Sequence, residues 1–224
     1  MGRAAKFMLL AAFISILVSC APSRFVKPLQ KKEQAVSFSL GGPVIKYSGA
    51  PVPMPFTTLA YGRGLTDRIT GFGSLHTTSL LFGNIQTDIG STFLLLEKPG
   101  RLGLSATPAL QMAYHLDTRK SFRIWPTADV NCWMHLKDSP SYVYCGISAW
   151  AEPSSRRAHE QPQPRHVIPN IHTGIVFAGT KWNHQLQVSY FGAGIPNLPG
   201  VVEYIGIGGK GAIGFHYSVM LTIK

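Results

Sequence analysis

One stretch, residues 121–135, SFRIWPTADVNCWMH, limits what this chain can fold into more than any other. Phe122, Ile124, Pro126, Ala128, Val130, Cys132 and Met134 fall on one alternating face and carry no charge. Arg123, Trp125, Thr127, Asp129, Asn131, Trp133 and His135 fall on the other. Period-2 alternation belongs to a β-strand lying between two different environments. At about 3.3 Å per residue the apolar stripe runs for about 40 Å, longer than a usual globular strand.

The pattern recurs along the chain. Strands are expected near 35–45, 55–63, 68–76, 80–90, 101–113, 121–135, 141–150, 168–178, 182–191 and 212–223, punctuated by Gly and Pro. Segment 91–100 reads either as a short apolar strand or as a connection, and no amphipathic helix stands out. The expected fold is all-β: a single antiparallel up-and-down barrel of about 10 strands (8–12), embedded in a membrane. GLTD (64–67), KDSP (137–140) and GTK (179–181) would turn at one end, and the long loops 151–167 and 192–211 would lie at the other. A soluble barrel with its apolar face inward also alternates and stays open as an alternative.

Pairing across KDSP sets Met134 opposite Val143, Cys132 opposite Cys145 and Val130 opposite Ile147 on one face, and Trp133 opposite Tyr144 on the other. Cys132 and Cys145 are therefore expected neighbours and a candidate disulfide. Two small hydrophobes on a lipid face is the plainer reading of the pair.

The N-terminus, MGRAAKFMLLAAFISILVSC, places Arg3 and Lys6 before an apolar run too short to span a bilayer comfortably. That is a secretory signal over 1–19. Its ending, Leu17-Val18-Ser19-Cys20, resembles the bacterial lipobox, which implies a lipoprotein whose Cys20 carries palmitate-type acyl chains. Ala21 follows, so the Asp of the enteric inner-membrane retention signal is missing. Segment 20–33 then reads as a lipidated basic tether and 34–224 as the barrel domain. Removing Arg3 and Lys6 from the formal +11 leaves +9, with few acids rather than dense basic tracts behind it. This argues against nucleic acid as a partner. It suits contact with membrane lipids, including anionic lipopolysaccharide.

YGRGLTDRITGFGSL (61–75), the following HTTSLLFGNIQTDIG and the lipobox together are similar to barrel lipoproteins of the Bacteroidetes type, which carry a Gly-Leu-Thr-Asp-Arg hairpin. The resemblance implies an architecture and the cell outer membrane, with the anchor in the periplasmic leaflet. It implies no activity.

Inside such a barrel Arg68, Asp88, Arg123, Asp129, Asn131 and His135 are the expected polar lumen residues. Trp125, Trp133, Tyr142, Tyr144 and Trp150 would narrow the lumen. Ten strands enclose a space that side chains largely fill, which disfavours a general porin. No HExxH or CxxC occurs, and no metal or cofactor is expected. His76, Ser79, His115 and Asp117 fall near one rim and are nucleophile–base candidates, while the inward His76, His135, His172 and His216 read first as lumen hydrogen-bonding groups and otherwise as a metal site or general base. The function expected is that of a non-enzymatic barrel with a structural, binding or narrow-transport role. The alternatives are a lipid-anchored soluble periplasmic barrel binding an apolar ligand, and an outer-membrane hydrolase or acyltransferase.

Overall fold

The computed structural model of the chain describes residues 25–98, 102–116, 122–156, 162–163, 165–197 and 202–223. Its strands are β1 (Gln34–Tyr47), β2 (Ala50–Pro53), β3 (Phe56–Thr66), β4 (Ile69–His76), β5 (Asn84–Lys98), β6 (Leu102–His115), β7 (Phe122–His135), β8 (Tyr142–Ala151), β9 (Val167–Ala178), β10 (Trp182–Pro196) and β11 (Lys210–Ile223), with one short helix α1 (Thr77–Leu81). Each long strand pairs antiparallel with its sequence neighbour, and β11 pairs back onto β1 from Gln34↔Ile223 to Pro43↔Gly214. The result is a closed ten-strand barrel; β2 is a short extension folded onto the end of β1.

Alternation assigns the faces. Phe38, Leu59, Leu110, Ile124, Val130, Ile147, Ile171, Leu186, Val188 and Phe215 point outward and are exposed. Ser37, Thr58, Gln86, Asp88, Thr107, Gln111, Asn131, His172, Gln187 and His216 point inward and are buried. The apolar faces thus turn away from the interior, opposite to what a soluble barrel holding an apolar ligand requires.

The hairpin register agrees with the pairing read from KDSP, including Cys132↔Cys145 and Trp133↔Tyr144. Some details differ from expectation, β2 and the run of β10 to Pro196 among them. The strand expected to begin near 80 begins at Asn84, because 77–81 form α1. There the Thr57 hydroxyl lies 2.6 and 2.7 Å from those of Thr77 and Thr78, and Gly83 takes a φ of 72° that closes the turn. Such local side-chain bonding competes with the ladder. Segment 91–98 continues β5 rather than connecting strands, through a register shift between Leu94 and Leu96.

Two ends result. The turn end holds the short connections after β3, β7 and β9, the facing ends of β5 and β6, and both barrel termini. The loop end holds α1, β2 and the longer connections. Residues 25–33, expected as a spacer, are more than that: Phe25, Val26 and Leu29 are buried inside the turn end. Phe25 and Leu29 cluster with Ala35 and Phe72, and Val26 with Trp133, Tyr144 and Val176.

Trp133, 1% exposed, is the largest of the fully buried side chains. Trp133→Ala should lower the free energy of unfolding by about 3–5 kcal/mol, read from the urea midpoint followed by circular dichroism.

Candidate functional site

The lumen is an enclosed environment built by strand alternation, and many of its polar groups bond one another in layers. Near the loop end His76 Nε2 lies 3.0 and 3.1 Å from the two carboxylate oxygens of Asp88. A carboxylate only accepts, so Nε2 carries the proton and donates. The other ring nitrogen is 3.3 Å from Thr58 Oγ1, and Ser74 Oγ donates to Asp88 at 2.9 Å. Asp88 is 2% exposed, and this enclosure of a carboxylate by donors is what allows it to be buried. At the same end Trp125 and Trp150 meet edge to face with centroids 5.6 Å apart, and Trp125 Nε1 donates to Glu152 at 2.9 Å.

The middle layer centres on β7–β10. His172 Nε2 and Asn131 Oδ1 are 2.6 Å apart. Gln185 Nε2 donates to the Tyr144 hydroxyl, which donates to Gln187 Oε1 at 2.8 Å, and Gln187 Nε2 donates to Ser189 Oγ at 2.8 Å. Across the closing seam Ser218 Oγ donates to Ser39 Oγ at 2.9 Å. At the turn end Lys27 pairs with Glu97 at 2.9 Å and lies 3.4 Å from His135 Nε2.

The expected lumen residues divide. Asp88 and Asn131 are deep inside, and Asp129 and His135 are half-buried on the inward face. Arg68 and Arg123 are exposed at the ends of the barrel. Arg68 donates to the carbonyls of Leu94 and Leu95 at 3.3 and 3.2 Å. A guanidinium is costly to desolvate, so the ends of a strand suit it better than the middle.

Cys132 and Cys145 face each other across the β7–β8 ladder on the outer surface, and both are free thiols in this structure. Cys20 and Asp117 lie outside the described residues. Ser79 donates to Gln86 Oε1 at 2.9 Å and is 3% exposed, while His76 is engaged by Asp88 and Thr58. A buried hydroxyl committed to a glutamine lacks the access that a nucleophile needs. Among the described residues no cluster of three or more His, Cys, Asp or Glu is arranged to hold a metal ion.

Sequence reading missed the Gln185–Tyr144–Gln187–Ser189 ladder and the entry of residues 25–30 into the lumen. The first was present as polar alternation on β10, but its partner on β8 is set by barrel curvature. The second had a signal in Phe25, Val26 and Leu29, three apolar residues in a basic stretch.

No protein-family model matches the chain, and no curated protein matches it either. Solved structures similar to it include an outer-membrane channel from Pseudomonas putida F1, 8% identical, covering 91% of this chain and 99% of that one with a TM-score of 0.48. The NanC porin is 6% identical over 84% of this chain and 98% of its own, with a TM-score of 0.45. The translocator domain of the autotransporter NalP from Neisseria meningitidis is 8% identical over 96% and 97%, with a TM-score of 0.42. At such distances the functional reading rests on the chain's own geometry.

Tyr144→Phe deletes the hydroxyl that serves Gln185 and Gln187 together. It should lower the free energy of unfolding by about 1–3 kcal/mol, because buried amide groups lose their partner. Tyr217→Phe, whose hydroxyl meets His184 on the exposed face, should change the urea midpoint little.

Proposed function

We propose that this chain is a lipid-modified outer-membrane β-barrel with a structural, binding or narrow-transport role. One observation carries the reading: a closed barrel whose exposed surface is apolar over its middle and whose interior is polar and hydrogen-bonded. In hydrocarbon every backbone N–H and C=O needs an internal partner, and a closed ladder supplies them all. Water offers no reason to turn Phe38, Val130, Ile147, Leu186 and Phe215 outward together.

Aromatic residues support the same reading. Tyr114 and Phe122 stand exposed near the loop end, and Phe177 and Trp182 near the turn end, as interfacial girdles do. The lumen is lined by large inward side chains, with Trp125, Trp133, Tyr144 and Trp150 all buried. This favours a narrow path or a binding role over bulk flow. Short connections at the end that also receives residues 25–33 suit a periplasmic orientation. An acyl anchor on Cys20 would then lie in the periplasmic leaflet. Exposed Arg156, Arg165 and Lys210 at the loop end would meet anionic lipopolysaccharide.

Membrane fractions carrying the full chain should retain it through urea and alkaline carbonate, and the folded form should shift in mobility when heated before electrophoresis. Cys20→Ser should abolish palmitate labelling while leaving that resistance intact, since strands and not acyl chains hold an integral barrel. Release of the wild-type chain by carbonate would overturn the reading. Val130→Arg, midway along the outer face of β7, should cost about 2–4 kcal/mol of unfolding free energy in lipid vesicles.

A further inference from the structure

Residues 25–33 are received by the barrel as a ligand is received by a site. The main chain is held at both depths of the turn end: Ser105 Oγ donates to the Val26 carbonyl at 2.6 Å, and the Leu29 amide donates to Thr70 Oγ1 at 2.7 Å. Nearer the mouth the Lys31 amide donates to Asp67 at 3.0 Å and the Lys32 amide to the Gly64 carbonyl at 2.9 Å. Three side chains fill the interior, with the Phe25 ring 5.8 Å from that of Phe72.

The wall is shaped for this segment. A Cβ on Gly62 would collide with the Phe25 ring, and one on Gly64 with the Gln30 carbonyl oxygen. The GRG of β3 is therefore the inward-facing room that the segment occupies. The register shift in β5 supplies a third feature. Leu94 pairs with inward Ser105, and Glu97 pairs with Gly103, whose missing side chain faces the Trp133 ring. Without the extra residue at Leu95, Glu97 would face outward; with it, the carboxylate reaches Lys27 at 2.9 Å. Glycine pair, buried hydroxyls and bulge lie on different strands and converge on one peptide. A small cavity remains beside it, lined by Phe25, Val26 and Lys27 and by Tyr142, Val176, Gln185 and Ser218.

We propose that the turn end of the lumen is a binding site for a peptide with an aromatic residue, a cation two positions on and a leucine two further. Residues 25–33 are its resident occupant, held in cis. Covalent attachment supplies a high effective concentration, so an occupant of modest intrinsic affinity keeps the site filled. A free peptide of the same pattern binds when the resident one is weakened. The site depends on the closed barrel alone and not on the membrane assignment, so the binding result and the carbonate result are independent.

The test uses the full chain carrying Phe25→Ala and Leu29→Ala, folded as shown by its heat-dependent mobility, and a labelled synthetic peptide of residues 25–33. Fluorescence anisotropy should show saturable binding at least about tenfold tighter than that of the peptide with the same two alanines. Wild-type chain should bind the native peptide at least as weakly, because its own segment competes. Adding Gly62→Leu to the double variant should abolish binding. Equal binding of both peptides, or binding undiminished by Gly62→Leu, overturns the proposal. Should the double variant not fold, Gly62→Leu in the otherwise wild-type chain should speed chymotryptic cleavage after Phe25 at least about tenfold, since a displaced segment is accessible. Unchanged cleavage there likewise overturns it.

Discussion

The pairing of β11 with β1 is the constraint on which the rest of the molecule depends. It joins the last strand to the first over ten register pairs, from Gln34↔Ile223 to Pro43↔Gly214. An open ten-strand sheet would present two edges of unpaired amides and carbonyls. Closure removes both and at the same time creates an inside. Only then does each strand's alternation acquire a direction, so that Ser39 and Ser218 meet within the seam while Leu40 and Tyr217 stand outside it.

Once an inside exists, its contents follow from the cost of burying polar groups. Each buried amide, hydroxyl or carboxylate needs a partner, and a narrow lumen brings strands far apart in sequence within bonding distance. Tyr144 bridges to Gln185 and Gln187, and His172 to Asn131. The lumen is also uneven around its circumference. β7–β9 contribute Trp133, Tyr144 and Val176, whereas β1, β3, β4 and β6 contribute Ala35, Gly62, Gly64, Thr70 and Ser105. Residues 25–30 fill the difference. The basic segment thus serves the barrel as part of its packing.

Strands with unbroken alternation were readable from sequence nearly to their ends. β7 spans Phe122–His135 and β10 begins at Trp182 as expected, because one face must differ from the other along the whole length. The β7–β8 register was readable too, since a short turn leaves one pairing that keeps both faces uniform. Legibility failed where a local bond competed with the ladder, as at α1, and where a bulge shifted the phase, as at Leu95. Arg68 and Arg123 are exposed because Arg68 falls in the turn before β4 and Arg123 is the second residue of β7. The Asp88–His76 pair was half legible. Alternation placed both residues inward, but their contact depends on the stagger of β4 against β5.

Sequence by itself determined that this chain forms long two-faced strands, about ten of them, with short turns alternating with longer loops. Those properties are local: period, turn chemistry and the phase of apolar residues are set within a dozen residues. Tertiary structure alone decided which face points outward, because that choice depends on curvature and closure summed over all ten strands. It also decided where residues 25–33 go. Their place is defined by the absence of side chains at Gly62 and Gly64 and by hydroxyls on β4 and β6, groups that are adjacent only in the closed barrel.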